Sequence, residues 1–333
     1  MQLKFYRFSL HPLNDLSNRY NTIFSNELKT NLEKFGNTVT FKDIIQQDAF
    51  IKLSDIPFYE NSEYPDLKML CDDFFIIENT DNGKFIVIDI QDSLSLMRYM
   101  LPHENCVGFI QTFYNQKCIT QEFKKSHLVT VGNYFPIEPD LVESYYDTIS
   151  KITPTDKRLF FSGTIGYENG YVKSDGSPRR EVVMIMKEKH PDEVRVLDRN
   201  NKLPRIEWWK EAAKHYINLA LPGHPWCSRE HELWALGLPI LSTYWVSPTI
   251  FCPRPNYHYL STDGGDVEWT GVCEDPEYAA DKLYERYKKS IDNPEYLKWI
   301  GSNGRKYYLD YIKPSSSAKY YAETINNWVL LKN

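Results

Sequence analysis

The sequence predicts an α/β fold in two domains, and three observations carry that reading. The second half alternates short apolar runs with helical segments of about 10–15 residues, the pattern of βαβ units on a parallel sheet. The chain has 333 residues, more than the roughly 100–200 of one ordinary domain. Between the halves, Lys151-Ile152-Thr153-Pro154-Thr155 reads as a linker. The expected division is a first domain over 1–152 and a second from 153 onward.

In the first half, residues 3–9 read as a short strand, and 16–35 carry helical apolar spacing that stops before Gly36. A strand follows at 38–41. Residues 73–79 and 84–90 are strong strands around Asp81-Asn82-Gly83, a turn signal. Residues 106–113 and 127–135 read as further strands, and 139–150 as a helix. In the second half the predicted strands are 158–163, 193–198, 217–223 and 239–243. The predicted helices between them start near Ser177 and run over 204–215 and 228–236. An open sheet of this kind holds its ligand at the carboxyl ends of the strands. The tail is helical over 276–291, 294–311 and 316–331, each segment opened by Pro or Ser.

Composition narrows the function classes. The net charge is −6, from 39 Lys+Arg against 45 Asp+Glu, which disfavours a general polyanion binder. Aromatic residues make up 15% of the chain, 24 of them Tyr, and such rings suit sugars and bases as well as core packing. No apolar run reaches the about 18 residues of a membrane span, and Met1–Asp15 lacks a signal-peptide pattern. Six scattered cysteines without metal-ligand spacing fit reduced thiols in a cytoplasm, a host's cytoplasm if the source is viral.

Residues 221–241 carry the chemistry. A buried strand ends at Pro222-Gly223, a loop follows, and Ser228 can cap a helix whose first turn holds Arg229 and Glu230. A capped helix start at the carboxyl edge of a parallel sheet is an anion site. The planar fork of Arg229 suits a diphosphate. Glu232, three residues on, can accept hydrogen bonds from a ribose diol. First-turn carboxylates also complement a helix dipole, which is the plainer reading for Glu230.

Glu232-x-x-Ala235-x-Gly237-x-Pro239-Ile240-Leu241 resembles the signature of nucleotide-sugar glycosyltransferases of the GT-B architecture. Gly223-x-x-Trp226-x-Ser228-Arg229 is similar to the exostosin and protein O-glucosyltransferase branches, and residues 300–308 resemble the late helix of such enzymes. The resemblance covers about 156–333. It implies two Rossmann-like domains facing a cleft, with the donor domain over 153–315 and a helix over 316–333 returning to the first domain. It implies that Glu232 holds the donor ribose and the helix start holds the diphosphate. Many retaining members carry a second glutamate where this chain has His224, which turns the expectation to inversion. His224 either touches the transferred sugar or is a plain loop residue.

The strand end at Ser162-Gly163-Thr164-Ile165-Gly166 supports the reading, because glycine lets backbone approach a ligand. Arg179 and Arg180 open the next helix, where a cation opposes the dipole, and Arg180 can reach a β-phosphate. The chain has no G-x-G-x-x-G, P-loop, H-E-x-x-H or D-x-D. The expected chemistry therefore needs no metal and no cofactor, with a nucleoside diphosphate sugar as co-substrate and arginines on the leaving group. Inversion requires a general base at the acceptor hydroxyl. Asp92, after the strand at 84–90, is the first choice, with Asp89, His103 and Asp15 behind it; helix capping competes for Asp92.

The acceptor stays open between a glycan or protein hydroxyl and a hydroxymethylated pyrimidine of DNA, as in phage enzymes of this architecture. A DNA acceptor needs a basic groove and base flipping, and Lys124-Lys125 and Lys288-Lys289 are sparse for that. A nucleotide-sugar epimerase and a non-catalytic sugar-nucleotide binding module are the readings from other classes. Oligomeric state is not legible.

Overall fold

The computed structural model describes residues 1–9, 16–45, 50–52, 56–57, 68–70, 74–89, 104–111, 128–131, 138–163, 178–197, 201, 203–221, 228–243, 253–262 and 275–330. Two compact units divide the chain, Met1–Glu138 with Lys313–Asn333, and Pro139–Ile312. The division falls before the helix at 139, and not at the linker near 152.

The first unit is built on a six-stranded mixed sheet. In chain order its strands are β1 (Gln2–Ser9), β2 (Thr38–Ile45), β5 (Phe74–Asn79), β6 (Lys84–Asp89), β7 (Cys106–Gln111) and β8 (Leu128–Val131). A separate antiparallel pair, β3 (Phe50–Lys52) with β4 (Lys68–Leu70), lies between β2 and β5 in sequence. The spatial order is β2-β1-β5-β6-β7-β8, and β5 runs against both neighbours while every other pairing is parallel. Antiparallel β5 follows from the short turn after Asn79. Asn79 pairs with Lys84, and Gly83 (φ 72°) donates its N–H to the Asn79 carbonyl at 2.8 Å. Glycine adopts that left-handed backbone without a side-chain clash.

Period-two alternation sends Leu3, Phe5, Phe75, Ile77, Ile86 and Ile88 to one face of this sheet. Two helices cover it, α1 (Leu16–Lys34) and the last helix, α8 (Pro314–Leu330). Phe24, Leu28 and Leu32 supply the apolar stripe of α1 at i, i+4, i+8, while Ala318, Tyr321, Ala322 and Ile325 supply that of α8. Phe24 meets Tyr321 edge-on at 5.1 Å. Two parts of the chain separated by almost 300 residues thus share one core.

The second unit carries five parallel strands, β9 (Leu159–Ser162), β10 (Val194–Leu197), β11 (Asn218–Leu219), β12 (Ile240–Ser242) and β13 (Leu260–Ser261), in the order β10-β9-β11-β12-β13. Its helices are α2 (Pro139–Ile149), α3 (Pro178–Lys189), α4 (Arg205–Lys214), α5 (Ser228–Ala235), α6 (Pro276–Ile291) and α7 (Pro294–Tyr307). A π-helical turn, Tyr308–Ile312, closes the unit. Val182, Val183 and Met186 of α3 and Ala279, Ala280 and Leu283 of α6 pack with Leu159, Phe161, Leu219, Leu241 and Leu260 on one sheet face. Phe160 and Asn218 alternate to the opposite face, toward α4 and α5. Helix starts obey local chemistry: Asp275 and Asn293 each accept an N–H at the start of α6 and α7, and proline follows both.

Candidate functional site

The strand order of the second unit has one switch point. From β9 the chain passes outward to β10, then returns across β9 to β11 and proceeds the other way. Ligands of open parallel sheets bind at the carboxyl ends of the strands at such a point, here the ends of β9 and β11. Gly163 follows β9 directly. Helix α5, reached from β11, begins at Ser228.

Arg229, in the first turn of α5, lies across Gly163. A Cβ added to Gly163 would stand 2.7 Å from Nη1 of Arg229 and 2.7 Å from Cζ of Phe161. Any side chain larger than hydrogen would displace the guanidinium. The site thus has a half-buried cation at a helix start, where the dipole already favours an anion and disfavours that cation by itself. Both features are satisfied together by a bound phosphate. Beside Arg229 lies a pocket open to solvent, lined among others by Phe160, Ser162, Trp208, Asn218, Arg229 and Glu230. Asn218 is 1% and Trp208 8% exposed, and among the described residues Oδ1 of Asn218 and Nε1 of Trp208 have no hydrogen-bond partner.

Glu232, one turn further along α5, is only 2% exposed. Trp209, fully buried in α4, donates its indole N–H to Oε2 of Glu232 at 2.8 Å. Arg205, at the start of α4, brings Nη2 to 3.5 Å from Oε1. A buried carboxylate needs such partners to remain charged. Arg205 escapes sequence reasoning because the contact joins two different helices, whose packing the sequence does not display. Glu230, in the first turn of α5, is 1% exposed and lines the pocket.

The far end of α5 is fixed. Gly237 (φ 69°) ends it, and a Cβ on Gly301 of α7 would collide with the Gly237 carbonyl oxygen. A Cβ on Gly304 would reach 2.5 Å from Trp234. Arg305 donates to the Ala235 carbonyl and pairs with Glu143 of α2 at 2.5 Å, which satisfies an orphan acceptor at the helix end. The two stretches that carry the sequence resemblance, 232–241 and 300–308, therefore touch. His231, fully buried between them and beside Trp234, is held neutral, its pKa lowered to about 3 by burial. His258, whose carbonyl accepts from Trp234, is lowered to about 4, mainly by burial and then by Arg254.

A second charged cluster occupies the opposite, amino-terminal edge of the sheet. Asp156 is held down to about 2, first by its hydrogen bond from Arg158. Arg195 pairs with Glu211 at 2.6 Å, and buried His215 stacks on Phe160 at 4.5 Å. Burial lowers the His215 pKa. These groups lie away from the ligand edge.

Of the sequence-predicted site residues, the structure brings Gly163 and Arg229 together and buries Glu232 against Trp209 and Arg205. Ser228 is the first residue of α5, and Arg179 and Arg180 lie in the first turn of α3. Asp89 is the last residue of β6 in the first unit. Thr164, Gly223, His224, Asp92, His103 and Asp15 lie outside the described residues. Among the described residues no three His, Cys, Asp or Glu side chains cluster as metal ligands, and no helix is long and apolar enough to cross a membrane.

No protein-family model matches the sequence, and no curated protein matches it. Solved structures do match its coordinates. The crystal structure of a glycosyltransferase from Rickettsia africae superposes over 99% of both chains with a TM-score of 0.48 at 12% identity. Sucrose-phosphate synthase from Thermosynechococcus elongatus superposes over 98% of this chain and 100% of its own, with a TM-score of 0.43 at 10% identity.

Proposed function

We propose that this chain is a glycosyltransferase of the GT-B kind, which moves a sugar from a nucleoside diphosphate to an acceptor hydroxyl by inversion and without a metal. The observation that carries the reading is the guanidinium of Arg229 lying over Gly163, at a helix start on the switch point of a parallel sheet. The sequence resemblance of 221–241 and 300–308 to the exostosin and protein O-glucosyltransferase branches supports it.

In the proposed reaction a base takes the proton of the acceptor hydroxyl while its oxygen attacks the anomeric carbon. The bond from that carbon to the diphosphate breaks, and the electron pair leaves on the β-phosphate oxygen. Arg229 and the N–H groups of α5 stabilise that charge because they are already oriented toward it. Glu232, oriented by Trp209 and Arg205, takes the ribose diol with its remaining lone pairs. Arg180 and Arg179, the backbone at Gly163 and Thr164, Ser228, and the loop at Gly223 and His224 complete the donor contacts. Asp92 is the proposed base, with Asp89 and His103 behind it. A glycan or protein hydroxyl is the proposed acceptor, and the cytoplasm the proposed compartment.

Titration calorimetry with UDP and GDP tests the donor site on the wild type, Arg229→Ala and Glu232→Gln. The wild type binds one of the two, and each variant loses at least tenfold in affinity. Unchanged affinity in both variants overturns the site. Turnover of labelled nucleotide sugars against a glycan, a protein and hydroxymethylcytosine DNA identifies the acceptor, and isomerisation without any acceptor would instead mark an epimerase.

A further inference from the structure

The last two strands of the second unit end in the same dipeptide. β12 runs into Ser242-Thr243 and β13 into Ser261-Thr262. All four residues are at most 3% exposed, although they stand at the edge where an open sheet meets its ligand. Leu241 pairs with Leu260 and Ser242 with Ser261, so Thr243 and Thr262 follow side by side. Ser261 donates its hydroxyl to the Thr262 carbonyl at 2.9 Å. The hydroxyls of Thr243 and Thr262, by contrast, have no hydrogen-bond partner among the described residues. A buried polar group left unpaired costs stability, so two neighbouring ones call for an occupant that pairs with both.

Position identifies the occupant. Leu241 and Leu260 face α3 and α6, as do Phe161 and Leu219. Two residues further along each strand, period-two alternation puts Gly163, Leu221, Thr243 and Thr262 on that same side, in one row along the carboxyl edge. Neighbouring strands stand about 4.8 Å apart, so the two threonines lie about 10 and 14 Å from the Gly163–Arg229 position. At one end of the row is a cation for a diphosphate. At the other are two neutral groups, each able both to donate and to accept. A vicinal diol has that same capacity and carries no charge.

We propose that Thr243 and Thr262 form a diol subsite that binds a sugar ring of the nucleotide sugar, at the opposite end of the row from its diphosphate. The inference rests on the donor reading above and extends it to a part of the sheet edge outside the resembling motif. The diol is that of the transferred hexose, since the donor reading gives the ribose diol to Glu232.

Thr243→Val and Thr262→Val remove one hydroxyl each at nearly constant shape. Calorimetry with inorganic diphosphate, UDP, GDP, UDP-glucose and GDP-mannose reads the result. Each variant weakens the bound nucleotide sugar about five- to tenfold, the worth of one hydrogen bond. Loss confined to the nucleotide sugars assigns the hexose diol, and equal loss for the plain nucleotides overturns that assignment. Without ligand, each variant melts about 2–4 °C higher than the wild type, because an unpaired hydroxyl has gone. Variants that bind every nucleotide as the wild type does, or that lose diphosphate equally, overturn the subsite while the donor reading stands. A lower melting temperature with unchanged binding means that ordered water fills the ledge, which also overturns it. If the wild type binds no nucleotide, the donor reading falls and the subsite with it.

Discussion

The indole nitrogen of Trp209 donates a 2.8 Å hydrogen bond to Glu232, and both side chains are almost wholly removed from solvent. A tryptophan of α4 therefore decides how a carboxylate of α5 points. Hydrogen bonds to charged acceptors are among the stronger ones, and a buried carboxylate that loses its donor bears the desolvation cost alone. Trp209→Phe keeps the ring packing and removes the donor. It should destabilise the chain by about 2–3 kcal/mol in urea titration. In a Glu232→Gln background the loss should be smaller, because the acceptor no longer carries charge. Equal losses in both backgrounds would show that the bond does not orient Glu232.

Gly163→Ala places a methyl group where the Arg229 guanidinium lies. The far end of an arginine can move aside, but the buried ring of Phe161 stands equally close, so the stability cost is about 3 kcal/mol. Nucleotide affinity should fall at least tenfold, because the displaced cation no longer meets the phosphate. Calorimetry beside a urea titration separates the two effects. A stable variant with wild-type affinity would remove Arg229 from the site.

Gly301→Ala differs, because its methyl group meets the backbone of Gly237 and not the end of a flexible side chain. Neither helix can yield without moving the end of α5. The expected cost is about 3 kcal/mol, at the top of the range for overpacking. A thermal melt of the variant checks it.

His231 sets a pH dependence. Its pKa is near 3 in the folded chain and about 6.5 when unfolded, so below pH 6.5 the unfolded chain binds a proton that the folded chain refuses. Its contribution to stability is complete above pH 6.5. It is lost as pH falls toward 3, by up to about 1.4 kcal/mol per pH unit. His258 and His215, also lowered, act in the same direction. Urea midpoints at pH 7 and pH 5 should drop for the wild type and drop less for His231→Phe.

Local chemistry made the helices legible. Asp275-Pro276 and Asn293-Pro294 mark starts that the structure reproduces to the residue. The strands at 159–162 and 194–197 are legible because apolar runs there end at polar loops. The two-residue strand β13 carries too short an apolar run to show itself. The π-helical turn at 308–312 leaves no periodic trace that separates it from the α-helix before it. Antiparallel β5 is foreseeable from the turn at Asp81-Asn82-Gly83, but its place beside β1 is a long-range choice. Within the site, Gly163 and Arg229 are legible because glycine and a first-turn arginine each break a local preference. Arg205, Trp209 and the burial of Glu230 are not, since each depends on which helix lies alongside.

The shared core of α1 and α8 bears on the order of events during synthesis. Chains emerge from the ribosome from the amino terminus, and domains fold as units. Residues 139–312 form one contiguous unit that can close as soon as its own last helix has emerged. The first unit cannot, because Tyr321 and Ile325 complete the core begun by Leu3 and Phe24. The half made first is finished last, and until then its sheet waits with an apolar face that α1 covers only in part, open to a chaperone.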